Sequence, residues 1–160
     1  MAQGDIKIIE PKNLSTRTYQ TAAATSIAAG DPVVSTTDTD AVSTAADGTP
    51  VCDSDNFVGI ATSVSTDTAT AVGTVEVYTF KGGEILRIKA ETAANANTEA
   101  KILALANGNL LLALTGSTFT LDTTTSSALN GLRALGTGDP TTSEVDVMVK
   151  AKCTTVGSKI

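Results

Sequence analysis

Chemistry near neutral pH is easiest with a residue that titrates there, and this chain contains no His. The commonest general acid–base group and the commonest metal ligand are therefore missing. Carboxylates, hydroxyls and two cysteines remain. Asp38 with Asp40, and Asp53 with Asp55, place carboxylates one residue apart and could offer oxygen ligands to calcium. Neither pair carries the central Gly and distal Glu of an EF-hand loop, so a solvated acidic loop is the competing reading. Paired carboxylates can also hydrolyse glycosides, but a sugar cleft calls for aromatic walls. This chain has no Trp and only two Tyr, Tyr19 and Tyr78. Gly82-Gly83 and Gly136-Thr137-Gly138 lack the strand–loop–helix setting of a nucleotide loop and read as turns. A Gly-x-Ser-x-Gly elbow is absent, and Ser158-Lys159 lies at the end of the sequence, a poor place for a nucleophile. The inventory predicts no enzyme, no metal and no cofactor.

Cys52 and Cys153 stand alone and far apart. Without a CxxC spacing, structural zinc is not expected. The expected reading is two small, reduced core residues, not a structural staple. A long-range disulfide is the alternative, and it requires a fold that brings the two together.

The elements that would hold these residues are short and β-prone. Thr and Ala dominate, and Thr suits pleated strands, turns and exposed faces alike. Residues 1–15 form an N-terminal arm or edge strand, and residues 16–160 a single β domain. Asp5-Ile6-Lys7-Ile8-Ile9 is a short β run stopped by Glu10-Pro11-Lys12. It is either the first strand of the domain or an arm that pairs with another chain. Candidate strands follow at 16–21, 33–34, 49–52 and 57–61, separated by polar loops at 36–48 and 63–71. Residues 73–80 and 86–90 alternate in period two around Lys81-Gly82-Gly83 and predict a β-hairpin. Residues 91–106 have helical composition, but the strand reading is favoured, with a hairpin at Asn107-Gly108. Strands are expected at 110–114, 118–121 and 131–135, a turn at 136–140, and a well-patterned final strand at 145–151. The predicted core holds Val75, Val77, Leu86, Ile88, Val145, Val147 and Val149. The predicted fold is all-β, a small sandwich or barrel of short antiparallel strands with long Thr-rich loops and an extended N-terminal arm.

The chain carries 11 basic and 17 acidic residues, a net charge of −6, which disfavours nucleic acid as a partner. No apolar run approaches a membrane span, and no export signal opens the sequence, so synthesis in the cytoplasm is expected and no membrane partner. With aromatics at 3% and much of the apolar fraction in Ala, one chain fills a thick core with difficulty, which favours a homo-oligomer.

Three runs resemble a known succession: Ala29-Gly30-Asp31-Pro32-Val33, then Phe57-Val58-Gly59-Ile60-Ala61, then Gly73-Thr74-Val75-Glu76-Val77-Tyr78. Together with Ala128-Leu129-Asn130-Gly131-Leu132-Arg133-Ala134-Leu135 before a Val-x-Val-x-Val strand, they resemble the capsid decoration, or cement, proteins of tailed phages. The resemblance covers most of residues 22–151 and lies in patterning and small-residue motifs; the loops at 36–48 and 63–71 fall outside it. It implies a structural virion protein that binds the outer capsid surface, often as a trimer, with the major capsid protein as partner and no catalytic residues. Asp5, Ile6, Lys7, Ile8, Ile9, Glu10, Pro11 and Lys12 are the candidate capsid contacts, as a segment able to add a strand to an exposed sheet edge. The competing class is a host-facing head-fibre or tail adhesin module that binds a receptor or glycan through its Thr-rich loops.

Overall fold

The computed structural model describes residues 6–11, 15–36 and 41–154. In chain order the elements are β1 (Ile6–Glu10), β2 (Ser15–Thr21), β3 (Pro32–Thr36), β4 (Val42–Thr44), β5 (Asp55–Ala61), β6 (Gly73–Thr79) and β7 (Ile85–Lys89). Then come α1 (Glu99–Ala104), β8 (Asn109–Thr115), β9 (Thr118–Asp122), β10 (Leu132–Asp139) and β11 (Glu144–Val149). The protein is all-β. Five strands close a small barrel in the order β2-β4-β3-β5-β6, and six form a curved sheet in the order β1-β7-β11-β10-β8-β9. Among the described residues the strands pair antiparallel except for the short parallel contact of β2 with β4 at Thr21 and Val42, and an isolated bridge of Ala90 with Leu121 is parallel too.

The barrel interior is filled by Ile27, Val33, Val42, Val58, Ala61, Val75 and Val77. The larger cluster joins one face of the sheet to residues of the barrel strands, and holds Leu86, Ile88, Leu112, Leu121, Leu132, Val145, Val147 and Val149 with Val34, Phe57 and Ile60. All seven residues expected in the core are buried, but they divide between these two clusters. Strand β5 serves both. It sends Val58 and Ala61 into the barrel and Phe57 and Ile60 into the larger cluster, so it is buried on both faces. Phe57 meets Phe80 edge to face at a centroid distance of 5.0 Å in this junction, the arrangement the ring quadrupoles favour. The double burial requires Gly59, because a Cβ there would overlap the carbonyl of Tyr78 on the neighbouring strand.

Several expectations are corrected. Strands β6 and β7 both exist, but they are not a hairpin. Strand β6 pairs with β2 and β5 in the barrel, whereas β7 pairs with β1 and β11 in the sheet. The cause is the Lys81–Glu84 crossing. Gly82 and Gly83 both take positive φ, and Gly82 lies so close to the Ala151 backbone that a side chain would clash. Glu84 is fully buried beneath this crossing, and its two oxygens accept the Lys81 and Gly82 N–H groups at 2.7 and 2.8 Å.

Residues 91–106 hold no strand: a 3-10 turn covers Ala93–Asn95 and α1 covers Glu99–Ala104, with bends and a turn between and after them. Thr98 caps α1 by accepting the Lys101 N–H, and Glu99 adds an acidic residue to the first turn. Asn107-Gly108 makes no hairpin. Asn107 adopts the left-handed conformation at φ 67° just past the helix end, a position Asn tolerates. The expected turn at Gly136-Thr137-Gly138 is strand: β10 runs on to Asp139 through an irregularity between Ala134 and Gly138, and the chain turns afterwards. The loop at 36–48 includes β4. The final strand ends at Val149, and Ala151–Cys153 is a 3-10 turn.

The cysteines are the largest correction. Cys52 and Cys153 form a disulfide, with Cα atoms 4.5 Å apart. The bridge Val51–Asn130 and the hydrogen bond from Cys52 N to Leu129 O bring residue 52 to the loop before β10. The turn after β11 returns Cys153 to the same loop, where its sulfur lies against Gly131. Long-range strand pairing makes the meeting, and nothing local encodes it.

Candidate functional site

The eight candidate contacts are divided by their environments. Asp5 and Lys12 lie outside the described residues. Ile6–Glu10 form β1, which pairs antiparallel with β7 through Ile6–Ile88, Lys7–Arg87, Ile8–Leu86 and Glu10–Ile85. The arm reading is therefore replaced by an edge strand of the sheet: Ile6 is a core residue, and Ile8 packs against the same core while remaining partly open. The pairing shifts between Ile8 and Glu10, and this irregularity leaves Ile9 44% exposed. Glu10 and Pro11 are exposed. Among the described residues no strand pairs with the outer edge of β1.

Behind that edge, cations on β1 and β7 pair with carboxylates on β11. Lys7 on β1 pairs with Glu144 on β11, and Thr142 donates to the other Glu144 oxygen at 2.8 Å. Arg87 on β7 grips Asp146 with two hydrogen bonds, at 2.7 and 3.0 Å, and Thr137 on β10 donates to Asp146 at 2.9 Å. The Asp146 hydrogen bond holds the Arg87 guanidinium above its already high range, against a smaller opposing effect of burial. The carboxylates are mostly buried in their side chains while the cations are more open. A two-point arginine fork in such a place outweighs an exposed pair. These contacts tie β1, β7, β11 and β10 into one stiff face and fix the edge strand to it. Outward Arg87 and Asp146 were visible in the alternation, but their partnership needs the register of two strands far apart in sequence.

The polar loops are built, not slack. In the loop at 63–71, Asp67 accepts the Thr25 and Ser26 N–H groups, and Thr66 bonds Thr74 across the loop base. Asp67 is held below the ordinary carboxylate value by the Ser65 hydroxyl and then by the Ser26 N–H. Val64 and Val72 stand exposed at its two ends. Asp38 and Asp40 lie outside the described residues. Asp55 accepts the Val51 N–H and the Ser54 hydroxyl, so the Asp53–Asp55 pair acts in a turn. Among the described residues no group of three or more His, Cys, Asp or Glu is placed to hold a metal ion.

A second polar cluster gathers at the loop before β10. Lys150 Nζ donates to the Ala128 and Asn130 carbonyls at 2.8 and 2.9 Å, and Lys152 Nζ donates to Ala128 at 3.3 Å. Burial lowers the Lys150 pKa, and repulsion from Lys152 and Arg133 lowers it further. Arg133 is oriented by Asn107 at 2.7 Å. In comparison with known proteins, the chain matches no family model, no curated protein and no solved structure.

Proposed function

We propose that this chain is a structural virion protein that binds the outer surface of a phage capsid and reinforces the shell. In this reading it acts as a homo-oligomer, a trimer by the resemblance, with the major capsid protein as partner and the virion surface as its location. The observation that carries the reading is β1, an edge strand with no outer partner among the described residues and with an apolar Ile9 at its shifted register. An open edge offers unpaired backbone donors and acceptors, which an extended segment of another protein can satisfy as an added strand. Because β1 is held by Ile6 and the Lys7–Glu144 pair, its backbone entropy, roughly 1–2 kcal/mol per residue, is lost on folding and not on binding. Co-sedimentation with assembled, undecorated capsids tests this. Ile9→Lys is expected to keep the wild-type melting temperature and to lose capsid binding by about tenfold or more. Equal decoration by Ile9→Lys and wild type would move the contact off this edge.

The adhesin reading is favoured by one observation, the ordered loop at 63–71 with its exposed threonines and the flanking Val64 and Val72. A preformed loop is a fit binding surface. Glycan-array binding that disappears with Thr68→Ala and Thr70→Ala would select this reading over the capsid contact.

A further inference from the structure

Arg133, Lys150 and Lys152 gather on a chain that carries six more acidic than basic residues, yet the described ion pairs, Lys7–Glu144 and Arg87–Asp146, include none of them. Two ammonium groups converge on the single Ala128 carbonyl. Beside them Leu129 is 39% exposed. Its loop is rigid, because Cys52 donates to the Leu129 carbonyl and the disulfide joins Cys52 to Cys153, next to Lys152. The result is an apolar knob on a loop whose flanking Ala128 and Asn130 carbonyls hold the two ammonium groups.

The opposite shape occurs at the far end of β10. A groove of about 490 Å³ runs between α1 and the stretch Gly136 to Pro140. Leu103 on its wall is 65% exposed, a large apolar side chain without cover. Glu99 lines the groove, and Asp139 sits between its lining residues Gly138 and Pro140. Neither carboxylate takes part in an ion pair among the described residues. Hydrogen bonds from the Thr141 side chain and then its N–H hold Asp139 below the ordinary carboxylate value, so it is charged across the neutral range.

We propose that these two surfaces are the halves of a head-to-tail contact between copies of this chain. The Leu129 knob of one copy enters the α1–β10 groove of the next, with Lys150 and Lys152 facing Glu99 and Asp139. Apolar shape and charge sign agree at both halves, and a polyanion is a poorer occupant of the cluster because the rest of the chain would repel it. Unlike surfaces meeting in this way give a heterologous interface, which closes into a ring when the rotation permits. The contact supplies the homo-oligomer of the proposed function and rests on that part of it.

Sedimentation of the free protein tests the contact without capsids, so its failure leaves the Ile9 assay standing. The wild type is expected to associate with rising concentration, and about tenfold more weakly when salt rises from roughly 0.05 to 0.5 M. Leu129→Asp and Leu103→Lys, both at exposed positions, should each be folded by circular dichroism and monomeric. Mixed together, they should form a one-to-one complex that grows no further, because each retains the half the other has lost. Lys152→Glu and Glu99→Lys should each weaken association, and the double variant should restore it. A wild type monomeric to about 100 μM at low salt, variants that assemble like the wild type, or a mixture that forms no complex would each overturn the proposal.

Discussion

Glu84 shows how much one residue depends on distant chain. Its neighbours in sequence mark it as an exposed turn carboxylate, yet it is fully buried and satisfied by two backbone N–H groups of the Lys81–Gly82 crossing. In Glu84→Gln one acceptor oxygen becomes a donor facing another donor. The expected cost is about 1–3 kcal/mol, read from urea midpoints at constant slope. Several surface carboxylates also link stability to pH. At Asp122 burial acts upward, but hydrogen bonds from Thr124 and Thr125 outweigh it and lower the pKa. Asp67 and Asp139 are lowered by their Ser and Thr partners. A carboxylate with a depressed folded pKa stabilises the fold above its unfolded value, 3.8 here, and that contribution disappears as pH falls through the folded value. The melting temperature should therefore be flat from about pH 5 to 8 and fall below about pH 4. A midpoint that rises on acidification would contradict these hydrogen bonds.

At the scale of elements, β1 separates its first and last isoleucines by burial: Ile6 is in the core and Ile9 is exposed. Ile6→Ala should cost about 2–4 kcal/mol and Ile9→Ala less than about 0.5 kcal/mol, measured by denaturant unfolding. Removal of residues 1–13 should destabilise the whole sheet by stripping Ile6 from the core and exposing β7 as a new edge, so point variants are the better probe of binding. Strands β6, β7 and β11 were legible in the sequence because period-two alternation marks a two-faced strand, and β5 was legible as a short β-prone apolar run. Their pairing was not. Alternation tells which side chains are buried but not against what, and the glycine pair that looked like a hairpin turn carries the chain from one sheet to the other. The helix was hidden for a related reason. Six residues of α1 bury only Ile102, too few for a 3.6-residue period to emerge, and Asn-Gly serves both a hairpin and a helix end. Of the candidate contacts, the run Ile6–Glu10 was legible as β-prone; its place at the edge, and the charged face behind it, come from pairings across the chain.

The whole molecule is held by two devices that act over long sequence distances. One is β5 with the Phe57–Phe80 contact, which makes barrel and sheet share a core, so unfolding should be a single transition by both near- and far-ultraviolet circular dichroism. The other is the disulfide between Cys52 and Cys153, a separation of 101 residues. It ties the segment between β4 and β5 to the turn after β11, and it sits beside the closing bond from Lys150 N to Gly131 O. Closing a loop of that size in the unfolded chain removes entropy worth roughly 4–5 kcal/mol. At about 2–4 °C per kcal/mol for a chain of this length, reduction should lower the midpoint by roughly 10–20 °C. The paired variant Cys52→Ser with Cys153→Ser should melt at the reduced midpoint with or without reductant. The wild type should move between the two values as the bond is broken and re-formed. A midpoint indifferent to reductant would mean that strand pairing alone holds residues 52 and 153 together, and the Leu129 loop would then owe its rigidity to the Cys52 N–H and the two lysines.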